Sequence, residues 1–445
     1  MTRDITIVGA GWAGLAAAVK ATQLGLKVHL FDAANAPGGR AKSVAHQGQL
    51  FDNGQHALIG AYSETLGLNQ TMGLQPQALF ERQAMKWQYP RGECYALPQD
   101  AYPLKALRSL LFSKRFSVRE KSTLLKPLFF SVSQALWGKT DDTVAHLFQG
   151  VSPKIMRDII SPLCLSALNT PVSVASANIF MRVLKDAFAN PPQSCEFLFP
   201  RLPLSDIFPL PCLNWLRERG ARIQLNHRID DLQDLDPHVP AILAVPPWQA
   251  SLLTHDKYPQ WSMLAKHIKH RAIASIYVKG LRAESDSKQA PSSSYPGSLM
   301  CLNDHDESED CVHPQFGLQR DVNASTRNSH PEGAEHWALI VSAADPNARQ
   351  TIIENALKAA CEQLKLSDVQ LELCTVEKRA TFSCDAHLQR PPCWIDSGLM
   401  AAGDYVQGPY PGTLEGAVRS GFQAVTQLVD ASFVSSHAGN TSRVL

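Results

Sequence analysis

The chain lacks an excess of either charge: 42 Lys and Arg stand against 41 Asp and Glu, a formal net charge of +1. That balance selects no polyanionic partner, and a nucleic-acid-binding chain is expected to be more basic. It also lacks paired cysteines. The ten it has (94, 164, 195, 212, 301, 311, 361, 374, 384 and 393) are scattered, no two are spaced C-x-x-C, and none sits beside a His at zinc-finger spacing. The expectation is reduced, mostly buried thiols in a cytoplasmic protein, with no metal centre and no disulfide framework. No stretch reaches about 18 uncharged apolar residues, which argues against a membrane-crossing helix and leaves peripheral membrane contact only. Nor does the N-terminus read as an export signal. Ile5-Thr6-Ile7-Val8 is apolar, but glycines follow at once, with no small-residue cleavage site after a long apolar core.

The 445 residues exceed what one simple core organises and predict two or three interwoven lobes. Residues 4–8 read as a buried strand and 13–24 as a helix, with Leu15, Ala16, Val19 and Leu24 on its apolar side. Gly25 stops that helix, and Lys27 to Phe31 is a second strand. Strand, helix and strand in about 30 residues is the unit of a parallel sheet. Residues 101–139 interleave Leu, Phe and Ala with Lys105, Arg108, Lys114, Arg115, Arg119, Lys121, Lys126 and Lys139, opposed only by Glu120. Residues 140–190 read as largely helical, and Pro-rich 196–212 as a shaped connection. A helix is expected over 213–219 and strands over 221–225 and 241–245. Residues 282–335 are rich in Ser, Asp, His, Asn and Pro, with acids at Asp304, Asp306, Glu307, Glu309 and Asp310, and predict a long polar, partly mobile insertion. Strand pattern returns over 337–342, a helix over 351–364 and another over 415–428. The tail from about Ala431 is polar and expected to fray.

The most informative motif is Gly9-Ala10-Gly11-Trp12-Ala13-Gly14. Gly9 permits a tight exit from the strand, Gly11 lets backbone approach a pyrophosphate, and Gly14 lets the helix pack on the strand. The helix N-terminus then offers free N–H groups and a positive dipole end to phosphates. Asp32, at the end of the next strand, is placed to accept hydrogen bonds from ribose hydroxyls. The full context turns a weak glycine signature into a dinucleotide site.

Gly38-Gly39-Arg40 follows six residues after Asp32 and suits a second close pass of backbone over the cofactor, its Arg facing phosphate or a flavin edge. Simple NAD folds do not require this element, so the reading moves to FAD. Near the other end stand Gly403-Asp404 and Thr413-Leu414-Glu415, the latter opening a helix whose N-terminus can point at an anionic part of a ring cofactor.

These three elements together resemble the flavin amine oxidase and carotenoid desaturase superfamily. A finer match comes from Asp52-Asn53-Gly54-Gln55-His56 and its continuation to Leu66. It is joined by Leu168-Asn169-Thr170-Pro171, Pro200 to Ser205, Ala244 to Ala250, Ala402-Gly403-Asp404, and Thr413 to Gly421. Together these resemble the hydroxysqualene dehydroxylases, squalene-associated FAD-dependent enzymes, over most of residues 4–430. Two features depart from the family pattern. The ribose-binding acid is Asp32 where Glu is usual, and the 282–335 stretch is longer and more polar.

The resemblance implies an α/β fold: a Rossmann-like FAD-binding domain, interleaved with a mixed-sheet substrate domain and a helical region able to face a membrane. The implied order is FAD-binding segments at 1–75, 201–255 and 391–430, a helical substrate region at 76–200, a substrate domain at 256–390 and a tail at 431–445. Asn53, Gly54 and Gln55 join the cofactor-binding set. The implied chemistry is reductive removal of the hydroxyl from hydroxysqualene. Reduced flavin supplies a hydride to an allylic carbon and the oxygen leaves as water, which needs a proton or hydrogen-bond donor and a dry site. His56 is the foremost donor candidate, with Tyr405 and Tyr410 behind it; Asp52 reads as a loop anchor. A substrate of about 30 carbons, at roughly 0.8 kcal/mol per buried methylene, does not leave a bilayer for water. Residues 101–139 are therefore expected to touch anionic lipid, at the inner face of the cytoplasmic membrane, while Trp248 and Phe129-Phe130 are candidates for a tunnel lining. Neighbouring enzymes of the squalene pathway are candidate partners. Two other readings remain: a carotenoid or phytoene desaturase running the flavin in the opposite sense, and a non-catalytic isoprenoid escort protein.

Overall fold

The computed structural model describes residues 4–90, 92, 94–96, 115–124, 141–188, 192–282, 299–302, 310–320 and 334–441. The opening unit forms as expected: β1 (Asp4–Val8), α1 (Trp12–Gln23) and β2 (Lys27–Phe31). Gly25 follows α1 with a left-handed φ of 77°, which glycine adopts without a Cβ clash. Leu24, expected on the apolar side, is 48% exposed because it lies past the last helical residue. The rest of α1 is buried nearly all round. Its run of alanines is what a helix needs when it is enclosed: it packs on the sheet, on helix Pro209–Glu218 and on the C-terminal helix Leu414–Thr441. At the last crossing a Cβ on Gly421 would lie 2.3 Å from the Ala13 carbonyl oxygen, so glycine sets how closely the two chain ends approach.

β1 lies inside a six-stranded sheet in the order Arg222–Gln224, β2, β1, Ala241–Leu243, Leu399–Ala401, Trp394–Asp396. Neighbours are parallel except at the Trp394–Asp396 edge. Ala241-Ile242-Leu243 and Leu399-Met400-Ala401 are wholly buried, as strands covered on both faces must be. The chain leaves β1 for β2 on one side and later returns to Ala241–Leu243 on the other. Ligands of open parallel sheets settle outside the carboxyl ends at such a reversal. Four segments emerge there: the glycine turn from Gly9, Asp32, the stretch from Ala244, and Ala402-Gly403-Asp404.

A second, seven-stranded sheet runs Leu366–Phe382, His270–Arg282, Ala334–Ala344, Phe316–Arg320, Leu299–Cys301, Lys86–Gln88, Cys94–Ala96. It is antiparallel except where Leu299–Cys301 pairs with Lys86–Gln88. One face is closed by helix Arg349–Glu362, whose Ile352, Ile353, Ala356, Ala359 and Ala360 bury against Ala274, Ile276, Val278, Leu339 and Val341. The other face looks toward the parallel-sheet core through Phe316 and Ile340.

Three expectations need correction. Residues 282–335 are not one polar insertion, because Leu299–Cys301 and Phe316–Arg320 are strands of this sheet. Their apolar content is short and set among polar residues, which hides it from a composition reading. The acids Asp304 to Glu309 lie outside the described residues. Pro-rich 196–212 carries the strand Phe197–Pro200, the short helix Leu204–Ile207 and the start of helix Pro209–Glu218. Proline is tolerated in a first helical turn, where its missing N–H would be unpaired anyway. The tail expected to fray continues the C-terminal helix to Thr441. Of the basic stretch 101–139, only residues 115–124 are described. There Ser117 and Glu120 form a capping box before helix Val118–Ser122, and Val118 is 83% exposed. Phe129 and Phe130 lie outside the described residues. All ten cysteines are free thiols and eight are buried, with Cys94 intermediate and Cys361 exposed.

Candidate cofactor and active site

The three glycines of the first turn separate into two kinds. A Cβ on Gly14 would lie 1.8 Å from the Gly9 carbonyl oxygen, and one on Gly9 would lie 2.3 Å from the Ala244 carbonyl oxygen. The fold itself forbids side chains there. Gly11 differs. Its φ of −73° suits any residue, and a Cβ would meet nothing closer than the Gly39 Cα at 4.0 Å. Neither packing nor backbone conformation demands glycine at position 11, so the space in front of it is a cradle open to a ligand. The second glycine element closes on the same place: Gly38 N–H donates to the Ala10 carbonyl at 2.8 Å, and Gly11 bridges Gly38. Gly11 caps α1 without a side chain, so the first N–H groups of α1 are left for an outside acceptor. Cradle, uncapped helix and switch point fit a dinucleotide pyrophosphate. Trp12 and Ala13 offer backbone only. The Trp12 indole is buried, donates to the Ala41 carbonyl at 2.9 Å and packs on Phe208.

Asp32 accepts one backbone N–H on each carboxylate oxygen, from Ala10 and Ala34. It thereby braces the turn, and each oxygen keeps a lone pair for a ribose hydroxyl. Arg40 does not stand free toward phosphate. Its guanidinium donates to Asp404 at 2.6 Å and to the Ala380 carbonyl at 2.8 Å, tying the second glycine element to the C-terminal segment and to the end of the large sheet. The Asp404 side chain is only 10% exposed, which explains the pairing: a carboxylate that deep needs a cation.

The Asp52–His56 loop spans the two sheets. Asp52 accepts from the Ser43 hydroxyl and the Leu204 N–H, the anchoring role expected of it. Asn53 donates to the Arg40 carbonyl and to Glu377, both at 3.2 Å, and Gln55 donates to the Tyr277 hydroxyl at 3.0 Å. The side chains of Asn53 and Gln55 thus clamp the loop onto the seven-stranded sheet.

At the far end of the chain, Thr413 caps the C-terminal helix by accepting the Gly416 N–H at 3.0 Å, and Leu414 is the first helical residue. Glu415 is turned to helix Ser63–Thr71. Its fully buried carboxylate accepts the N–H groups of Glu64 and Thr65, the Thr65 hydroxyl at 2.7 Å and the Arg419 guanidinium at 2.7 Å. It caps helix Ser63–Thr71, whose first turn has no other side-chain cap. Tyr410 holds a left-handed φ of 56° and meets Tyr62 edge-on with ring centroids 5.9 Å apart, while Arg419 lies over its ring. Tyr405 is 1% exposed; its ring covers Gly403, and its hydroxyl has no hydrogen-bond partner among the described residues.

Two imidazoles face this junction. Burial, reinforced by the Arg40 charge, pushes His56 down to about 4. Burial and then Arg40 do the same to His270, which packs against Trp248. At neutral pH both rings are neutral, so His56 is a hydrogen-bond donor or relay and not a stored imidazolium. An unfolded histidine titrates near 6.5. Between about pH 6.5 and 4 the unfolded chain binds protons that the folded chain refuses, so stability falls as pH is lowered through that window. His56→Gln is expected to flatten the fall by up to ~1.4 kcal/mol per pH unit. Denaturant melts at a series of pH values check this, and an unchanged slope would place the His56 ring in water.

Residues missing from the motif reading are His270, Tyr277, Glu377 and Arg379, the last stacked over Trp248 at 4.3 Å. They lie on long strands with no local signature. Only the period-two placement of polar side chains on one face could have found them.

Residues 7–67 match the NAD(P)-binding Rossmann-like domain family. At full length the chain is similar to a hydroxysqualene dehydroxylase of Rhodopseudomonas palustris, 25% identical over 97% of this chain and 99% of the relative. One from Sinorhizobium fredii is 24% identical over 95% of this chain and 98% of the relative. Among solved structures, a putrescine oxidase redesigned in cofactor binding superposes with a TM-score of 0.65 at 14% identity, covering 96% of this chain and 99% of that one. The chain shares the fold of that oxidase, and its end-to-end resemblance is to the hydroxysqualene dehydroxylases.

Proposed function

We propose that the protein reduces hydroxysqualene to squalene, replacing an allylic C–O bond by C–H and releasing water. The observation that carries this reading is the similarity to two dehydroxylases over nearly all of both chains. FAD, when bound and reduced, would supply the hydride, and a proton taken up from solvent completes the water that leaves. The cradle in front of Gly11, beside Gly38 and Gly39, would hold the pyrophosphate, Asp32 the ribose, and the Gly403 and Thr413–Leu414 segments the flavin end. Arg40 and Asp404 neutralise each other and lock the segments around it. The neutral His56 donates a hydrogen bond to the departing oxygen, and buried Tyr405, which burial keeps protonated, is a second donor. Purified protein with reduced flavin is expected to give squalene from hydroxysqualene, and with oxidised flavin and an electron acceptor to leave phytoene unchanged. A desaturated product from phytoene, or no product from hydroxysqualene, overturns the reading. His56→Gln is expected to retain FAD and lose roughly 10–100-fold in kcat. Full turnover in that variant removes His56 from the chemistry.

We also place contact with an anionic cytoplasmic membrane surface at 101–139. No described helix is long and apolar enough to cross a membrane. Flotation with liposomes is expected to increase with anionic lipid content, and flotation indifferent to it contradicts the contact.

A further inference from the structure

The face of the seven-stranded sheet turned toward the parallel-sheet core holds two hydroxyls without a partner among the described residues. Ser275 and Thr375 are direct cross-strand partners, within a stretch whose register runs unbroken from Ile273 opposite Glu377 to Tyr277 opposite Leu373. Side chains alternate along a strand, so Ile273, Ser275 and Tyr277 share a face with Glu377, Thr375 and Leu373. Ala274, Ile276 and Cys374 point the other way, into the core under helix Arg349–Glu362. Ser275 is 1% exposed. Neither its Oγ nor the buried Oγ1 of Thr375 has a hydrogen-bond partner among the described residues. Buried hydroxyls without partners are costly and rare, and a pair side by side is harder to explain by packing alone.

The loop above supplies the explanation. Gln55 is clamped to Tyr277 and Asn53 to Glu377. On the sheet those anchors lie one step on either side of the Ser275–Thr375 pair. The anchors stand four strand positions apart, about 13 Å; the two loop steps from Asn53 to Gln55 span about 7 Å and the Asn53 and Gln55 side chains reach over the remainder, so the loop lies over the pair with Gly54 between its anchors. Gly54 has no side chain to fill the gap. A Cβ there would stand 3.5 Å from His56 Nε2, which brings the imidazole to the same place.

We propose that Ser275 and Thr375 form, with His56, the subsite that receives the hydroxyl of the isoprenoid alcohol. This rests on the dehydroxylase reading. An alcohol oxygen donates one hydrogen bond and accepts two, and two protein hydroxyls and a neutral imidazole can supply that set. Charge builds on the oxygen as the C–O bond lengthens, so the same donors hold it more strongly as it leaves. The hydrocarbon product has no oxygen and leaves the pair unpaired again, which favours its release.

The test is binding to protein carrying oxidised FAD, read from the flavin absorbance, with hydroxysqualene and squalene titrated separately in detergent. The wild type is expected to bind the alcohol at least ~10-fold more tightly than the hydrocarbon, a difference of about 1.4 kcal/mol. Ser275→Ala with Thr375→Val is expected to bring the two within about 2-fold and leave squalene binding unchanged. Ser275→Thr with Thr375→Ser restores the preference. Without ligand, the Ala/Val variant is expected to melt at or above the wild-type temperature, because it removes unpaired buried groups. Undiminished preference for the alcohol in that variant overturns the proposal, and so does a marked fall in melting temperature. The dehydroxylase reading fails separately, if the wild type binds the alcohol through this pair yet forms no squalene.

Discussion

Gly11→Glu is expected to yield a folded protein without flavin. Gly11 lies at the mouth of the parallel sheet with an ordinary φ and open space where its side chain would grow, so the fold tolerates the substitution. The pyrophosphate does not, because a carboxylate would occupy the cradle and repel it. A rise in FAD dissociation constant of at least ~100-fold, about 2.8 kcal/mol, is expected, with the circular dichroism spectrum and the melting temperature of the apoprotein preserved. Gly14→Ala should behave oppositely. Its Cβ would fall 1.8 Å from a backbone oxygen, so loss of soluble protein precedes any effect on the cofactor. The pair separates the glycine the ligand needs from the glycine the fold needs. Wild-type flavin content in purified Gly11→Glu would move the pyrophosphate elsewhere.

Glu415→Ala is expected to unfold easily and bind flavin normally while folded. The carboxylate is wholly buried and accepts two backbone N–H groups, a hydroxyl and a guanidinium. Removing it strands buried donors at about 1–3 kcal/mol each, and Arg419 partly recovers solvation because it is 30% exposed. A net loss of ~3 kcal/mol in a denaturant melt follows, with Glu415→Gln recovering about half through its remaining acceptor oxygen. FAD affinity of the folded protein should change less than ~3-fold. Wild-type stability combined with lost flavin would return Glu415 to the cofactor.

These two residues show what was legible in the sequence. The strand, glycine turn, helix and second strand of residues 4–31 form as read, because that motif encodes its geometry locally: each glycine answers a neighbour within a few residues or across one strand. Asp52 also reads correctly as an anchor. Glu415 and Arg40 do not, because the N–H groups that Glu415 caps and the Asp404 that pairs with Arg40 lie 350 and 364 residues away in the chain. Only the folded packing shows these two engagements. Ser275, Tyr277, Thr375 and Glu377 were equally hidden, since what joins them is strand register. The strands inside residues 282–335 escaped notice because three and five residues flanked by polar sequence carry too weak a period. The family resemblance reached the chemistry; the local residues alone reached only the cofactor.

The most direct measurement is an anaerobic single turnover. The flavin of the purified protein is reduced stoichiometrically, hydroxysqualene is added, and flavin reoxidation and squalene are quantified together. One squalene formed for each flavin reoxidised is the predicted result. Flavin that stays reduced while hydroxysqualene persists would contradict it.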